Sequence, residues 1–311
     1  MASSRHFMLR SYNYYSSGVA AYPRKVAPLS SVSLQSPRLC YSHCCNGAVH
    51  SAEVELEQQQ QQQQHQQRHL RSPDLVALEY ADLNLSYKLD LGHVRIRQHV
   101  NPLSSSFSVP AQVPEWNHVF RDPTLPLMVD IGCGSGRFLL WLAKRNSKVK
   151  NYLGLDIRQK LAKRAEIWVK DLALDNIHFM FANATNSFKQ LVASYHGPLM
   201  LVSILCPDPH FKKRHHKRRV LQKPLAVAIV DHLMPGGQVF IQSDVLEVAL
   251  DMRNQFDEFD VLKHIDPSNP TLLCDNEGWL LSNPLGIRTE REIHAELEGA
   301  RIYRRMYQKQ M

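Results

Sequence analysis

The chain has 311 residues, 44% of them apolar, and a formal net charge of +8 at neutral pH. That length holds one or two domains with a packed core, and the positive charge points to an anionic partner, nucleic acid before a membrane surface. No apolar run approaches the length of a membrane span, so no membrane partner is expected. The first segment, residues 1–52, has no Asp or Glu, eleven serines and five Arg or Lys. This is the composition of an organelle transit peptide, and its Ala- and Ser-led start favours the chloroplast, with mitochondrion and nucleus as alternatives. Residues 53–74 carry EQQQQQQQHQQ, a polar low-complexity stretch read as a disordered linker. Residues 75–115 form a basic arm in which Arg95, Arg97 and His99 alternate with Val94 and Ile96, as in an extended segment. Either a solvated arm or one that touches RNA phosphate or folds over a ligand fits this pattern. Cys133, Cys206 and Cys274 lie far apart and give no metal-ligand spacing, so reduced thiols and no metal are expected.

Residues 116–311 read as one α/β domain. Strand patterns at 125–131, 151–157, 177–183, 199–206 and 238–244 alternate with helical patterns at 136–146, 159–173, 187–195, 221–234 and 245–258. Shorter strands fit 260–264 and 301–308, and Pro235-Gly236-Gly237 reads as a turn between helix and strand. This alternation predicts a doubly wound, mostly parallel sheet with right-handed crossovers.

The organising stretch is PLMVDIGCGSGRFLLWLA, Pro126 to Ala143. An apolar strand ends in Asp130, a glycine-dense turn follows, and apolar residues then recur at helical spacing. The glycines are spaced G-x-G-x-G, which differs from the dinucleotide fingerprint G-x-G-x-x-G, and no phosphate-loop motif is present. An acid before the first glycine and a second acid, Asp156, at the end of the next strand suit a ligand with a cationic amino-acid part and a ribose. S-adenosylmethionine is such a ligand. A tight strand–helix turn without a ligand is the plainer alternative.

The fourth strand, LMLVSIL, runs into CPDPHFKKRHHKRR, Cys206 to Arg219. Pro207 and Pro209 bracket Asp208, and six Arg or Lys follow between positions 212 and 219. A carboxylate and a positive patch at the sheet edge of the glycine turn suit a phosphate-bearing substrate. A nuclear localisation signal or a solvated loop would share the charge but not the Pro-Asp-Pro context. Asp244, in QSDV, ends the fifth strand and is equally a helix N-cap candidate. Asn183, in FANAT, lies where an adenine ring would be contacted. Thr289 and Glu292 fit a capping box that opens a helix.

The segments DIGCGSGRF, GLDIR, PDPHFKKRHHKRR, PGG with QSDV, and TERE closely resemble the tRNA (guanine-N7)-methyltransferase family, in its cyanobacterial and plastid form. The arm RIRQHVNPL, Arg95 to Leu103, is similar to that form as well. The resemblance covers residues 125–311, about two thirds of the chain. It implies a Rossmann-like class I methyltransferase fold with a seven-stranded sheet, S-adenosylmethionine as cofactor, and methylation of a variable-loop guanine of tRNA at N7. By the same resemblance Gly132 with Asp130 and Gly134 binds the methionine part, Asp156 and Ile157 the ribose and adenine, Asn183 and Ala184 the adenine side, and Leu205 lines the methyl-donor pocket. Asp208 is then the catalytic residue beside the reacting centre, while Lys212, Asp244, Thr289, Glu290 and Glu292 face the guanine. Asp130 stands where many bacterial members have Glu, and Asn183 where many have Asp. No obligatory protein partner is expected. A methyltransferase for an exocyclic amine of RNA or DNA would carry Asn/Asp-Pro-Pro-aromatic after the fourth strand, unlike Pro-Asp-Pro-His here. A non-catalytic RNA-binding subunit would not need Gly132, Gly134, Gly136 and Asp156.

Overall fold

A computed structural model describes residues 71–85, 100–265 and 273–311. The expected transit peptide, the glutamine tract, and Arg95, Arg97 and His99 of the arm lie outside the described residues. The strands are β1 (Leu127–Ile131), β2 (Asn151–Asp156), β3 (Ile177–Phe181), β4 (Leu199–Leu205), β5 (Leu233–Ser243), β6 (Leu262–His264) and β7 (Tyr303–Lys309). The helices are α1 (Ser72–Glu79), α2 (Trp116–Val119), α3 (Arg137–Arg145), α4 (Gln159–Asp171), α5 (Ala184–Ala193), α6 (Lys223–His232), α7 (Leu246–Asp257) and α8 (Glu290–Leu297).

The sheet order is β3-β2-β1-β4-β5-β7-β6. Strands β1 to β5 pair in parallel, and β7 runs antiparallel to both β5 and β6. The doubly wound, mostly parallel seven-stranded sheet expected from the sequence is therefore present. Chain order reverses between β1 and β4, and such a switch point opens a crevice at the strands' carboxyl ends.

Period-two alternation divides β1 between two cores. Leu127, Val129 and Ile131 join Phe188, Ile229 and Phe256 on one face, and Met128 joins Leu139, Trp168 and Phe240 on the other. Helices cover both faces, so central strands read as continuous apolar runs. Phe179 keys the start of α3 to the sheet. A Cβ at Gly154 would lie 2.4 Å from Phe179 Cδ1, and one at Gly136 2.8 Å from Phe179 Cζ. Only residues without a side chain leave room for that ring.

Three boundaries differ from the sequence reading. The Pro235-Gly236-Gly237 turn is a bulge inside β5, because Leu233 still pairs with Leu199 and Gln238 with Leu201. Helix α5 starts three residues earlier than expected, at Ala184, because Asn183 Oδ1 accepts from Thr185 N and caps it. Helix α1 starts at Ser72, within the stretch expected to be linker, and docks on α8: Tyr80 Oη donates to Arg288 O at 2.5 Å and Glu79 pairs with Arg288 at 2.7 Å. Among the described residues no helix is long and apolar enough to cross a membrane.

Candidate active site at the switch point

The turn after β1 holds Gly132, Gly134 and Gly136 at φ of +82°, +59° and +85°. These left-handed values suit glycine and let the chain reverse directly into α3. The N–H groups of Gly132 and Cys133 both donate to Leu155 O, at 2.8 and 3.1 Å, which fastens the turn to the end of β2. Nothing lies within 4 Å of a Cβ built on Gly132, so a ligand can approach that backbone closely.

Asp156 is the hub of this turn. Its Oδ2 accepts from Gly134 N at 2.9 Å, and its Oδ1 from Arg158 N at 2.7 Å. The Arg158 guanidinium adds Nε to Oδ1 at 2.9 Å and Nη2 to Oδ2 at 3.0 Å. A carboxylate offers about four lone-pair sites, and these four donors occupy them. Ribose hydroxyls would therefore take the places now held by the guanidinium, leaving the two backbone donors as supports.

Gly132, Asp156, Ile157, Asn183, Ala184 and Asp208 line one cavity at the carboxyl ends of the strands. Most of the expected cofactor set thus converges with the expected catalytic acid. Asp130, Gly134 and Leu205 do not line it. Asp130 is 4% exposed and sits opposite Ser203 on β4, whose Oγ donates to it at 2.6 Å. Burial pushes its carboxyl up to about 7, the Asp156 charge adds to this, and the Ser203 bond opposes it. Asp130 is thus held within the sheet against Ser203, outside the cavity lining. Gly134 acts through its amide on Asp156, and Leu205 packs against the core.

The loop after β4 is bent by two non-glycine residues in the left-handed region, Cys206 at φ 49° and His210 at φ 46°. Both flank Pro207-Asp208-Pro209 and both line the cavity. Backbone strain of this kind persists where surrounding structure over-determines it. Cys206 N donates to Gln242 O at 2.7 Å, and burial pushes its thiol up to about 12. Lys213–Arg218 form a 3-10 helix in which Lys213, Arg214 and Lys217 are exposed, as is Lys212 before it. Arg219 differs from its neighbours and is 6% exposed. It donates to Pro209 O at 2.9 Å, Glu247 at 2.7 Å and Asp251 at 3.2 Å. Arg219 fastens the loop to α7 and is not part of the exposed patch.

The residues expected to face the guanine separate into two groups. Lys212 is exposed, and Glu290 is half-buried beside the glycine turn. Glu290 Oε1 accepts from Ser135 Oγ, and from Arg137 Nη1 at 2.7 Å, so α8 is tied to the turn itself. Asp244 is paired with Arg291, at 3.0 Å to Nε and 2.5 Å to Nη2. It does not cap α7, whose N-cap is Val245. Thr289 and Glu292 form the capping box of α8, as the sequence pattern allowed, with Glu292 N to Thr289 Oγ1 at 3.2 Å and Thr289 N to Glu292 Oε2 at 3.1 Å. Glu292 has 0% exposure and also accepts from Arg304 Nε at 3.0 Å. Its oxygens are used inside the fold.

Sequence reasoning gave Arg158 no role and did not place Arg218, Val100 or Pro102 in the cavity wall, yet all four line it. Arg158 directly follows the GLDI segment, and a cation beside a strand-end carboxylate was a usable signal. Val100 and Pro102 belong to the arm RIRQHVNPL, for which folding over a ligand is one of the two readings.

Residues 124–305 match the family described as "Putative methyltransferase". The tRNA (guanine-N(7)-)-methyltransferase of Synechococcus sp. (strain JA-2-3B'a(2-13)) is 47% identical over 214 residues, covering 69% of this chain and 84% of that protein. The protein of the same name from Trichormus variabilis is 41% identical over 221 residues, covering 70% of this chain and 98% of that protein. Among solved structures, an rRNA methylase from Streptococcus thermophilus aligns with a TM-score of 0.38 and 14% identity over 62% of this chain and 91% of that one. The strand order above, not that likeness, defines the fold. With such identity carried across nearly the whole of these relatives, the chain belongs to the tRNA (guanine-N7)-methyltransferase family.

Proposed function

We propose that the chain transfers the methyl group of S-adenosylmethionine to N7 of the variable-loop guanine in tRNA. The observation that carries this reading is the single cavity in which Gly132 and Asp156 meet Asp208 beneath an exposed basic loop. S-adenosylmethionine, when bound, supplies a methyl group on a cationic sulfur. Gly132 gives the backbone clearance for its amino-acid part, Asp156 accepts from its ribose, and Ile157 and Ala184 flank its adenine.

Guanine N7 carries its own lone pair, so no base has to remove a proton before attack. The protein's task is to hold N7 in line with the methyl group. Good alignment of two reactants is worth on the order of 7–11 kcal/mol. The ring becomes cationic as the bond forms, and a fixed carboxylate beside it stabilises that charge. We assign this electrostatic role to Asp208, which lines the cavity. Lys212, Lys213, Arg214 and Lys217 present cations to the phosphate backbone, which positions the RNA without reading its sequence. The Pro-Asp-Pro-His order favours ring-nitrogen over exocyclic-amine methylation.

We place the enzyme in the chloroplast on the acid-free, serine-rich composition of residues 1–52. A fluorescent protein carrying residues 1–70 should enter plastids, and a diffuse cytosolic or nuclear signal would contradict this.

Mapping the methylated nucleotide after incubating the protein with tRNA and labelled cofactor tests the reaction directly. The label should sit on N7 of one variable-loop guanine; label on an exocyclic amine, or none, would overturn the proposal. Replacing Lys213, Arg214 and Lys217 together with Gln should weaken tRNA binding and flatten its salt dependence. The slope change should be about 0.7–0.9 per lost phosphate contact, while cofactor affinity stays near wild type. An unchanged salt slope would remove the loop from the RNA site.

A further inference from the structure

Both amide hydrogens of Asn183 are used within the protein, so it has no donor to offer an adenine. Its Oδ1 accepts from Thr185 N at 3.3 Å as the cap of α5. Its Nδ2 donates to Pro102 O at 3.1 Å and to Phe107 O at 3.2 Å. Three further side chains of α5 hold the same segment of chain. Asn186 Nδ2 donates to Phe107 O at 2.8 Å, Ser187 Oγ accepts from Ala111 N at 2.9 Å, and Gln190 Nε2 donates to Ala111 O. Positions 183, 186, 187 and 190 follow the i, i+3, i+4, i+7 rule, so they form one polar stripe on one helix face. The stripe grips main-chain groups of residues 102–111, and the Phe107 ring adds an edge contact to Phe181 at 6.1 Å between centroids. At the start of this segment, Val100 and Pro102 form part of the wall of the cofactor cavity.

We propose that Asn183 is a positioning residue that acts on the cofactor through the strap Val100–Ala111, which it and the α5 stripe hold against the cavity. The proposal rests on the cofactor site described above. It also gives the Asn at this position a physical reason. An aspartate could still cap α5, since capping needs only an acceptor. It could not donate to Pro102 O or Phe107 O, and its charge would face two carbonyl oxygens. A direct adenine contact and a strap anchor therefore differ in what Asn183→Asp does: the first is made through Oδ1, an acceptor that aspartate keeps, and the second loses both of its donors.

The test is calorimetry with S-adenosylmethionine alongside hydrogen–deuterium exchange on the full chain. Asn183→Asp should weaken cofactor binding at least about tenfold, equivalent to about 1.4 kcal/mol. The KM for S-adenosylmethionine should rise by more than kcat falls, and amides of residues 104–111 should exchange faster. Phe107→Ala guards against a misfolded first variant. Phe107 does not line the cavity, yet its loss should loosen the strap and weaken cofactor binding in the same direction. Wild-type affinity and exchange in Asn183→Asp would overturn the proposal, as would weaker binding with strap exchange unchanged, which marks direct contact. Faster strap exchange in Phe107→Ala without loss of affinity would overturn it too. A wild-type chain that binds no S-adenosylmethionine would remove the cofactor site, and the strap's role with it.

Discussion

The carboxylate of Asp156 is the point on which the rest of the site depends. It ends β2, accepts from the amide of Gly134, and accepts twice from the Arg158 guanidinium. One side chain therefore sets the shape of the glycine turn, the distance between β1 and β2 at their ends, and the position of a cation at the cavity wall. A buried carboxylate is costly unless its oxygens are paired, and here the pairing is complete. The constraint reaches further through the turn, because Ser135 and Arg137 hold Glu290 at the start of α8. The turn after β1 and the start of α8 are thus braced against each other by the bonds from Ser135 and Arg137 to Glu290.

Charge at the strand ends is arranged in two layers. The inner layer is balanced: Asp156 with Arg158, Asp244 with Arg291, Glu290 with Arg137, and Arg219 with Glu247 and Asp251. Asp130, buried against Ser203, avoids the cost differently, since burial holds its carboxyl up to about 7. The outer layer is unbalanced and carries the exposed cations Lys212, Lys213, Arg214 and Lys217. Inner pairs fix geometry, and outer cations meet solvent, where the proposed contact with the phosphate backbone would draw on counterion release. The basic run is therefore one stretch in sequence with two physical roles.

The fold was largely legible because long apolar runs alternating with helical periodicity leave few arrangements. The glycine turn was legible because its φ values require glycine. What escaped was set by tertiary contact. Thr289 and Glu292 satisfied a local capping pattern and a family resemblance equally well, and only the burial of Glu292 against Arg304 separates them. The pairing of Asp130 with Ser203 comes from strand register, which the local pattern does not carry. Arg219 looked like its exposed neighbours because charge runs carry no burial signal. The anchoring of the strap was hidden because side chains of α5 hold it by its main-chain groups, which are the same in every sequence.

The central claim is that Asp156 holds the ribose of S-adenosylmethionine. Calorimetric titration of the cofactor into folded Asp156→Ala tests it most directly. Hydrogen bonds to a charged group are each worth about 1.5–3 kcal/mol, so the affinity should fall at least about tenfold. A folded variant that binds S-adenosylmethionine as tightly as the wild-type chain would contradict the account.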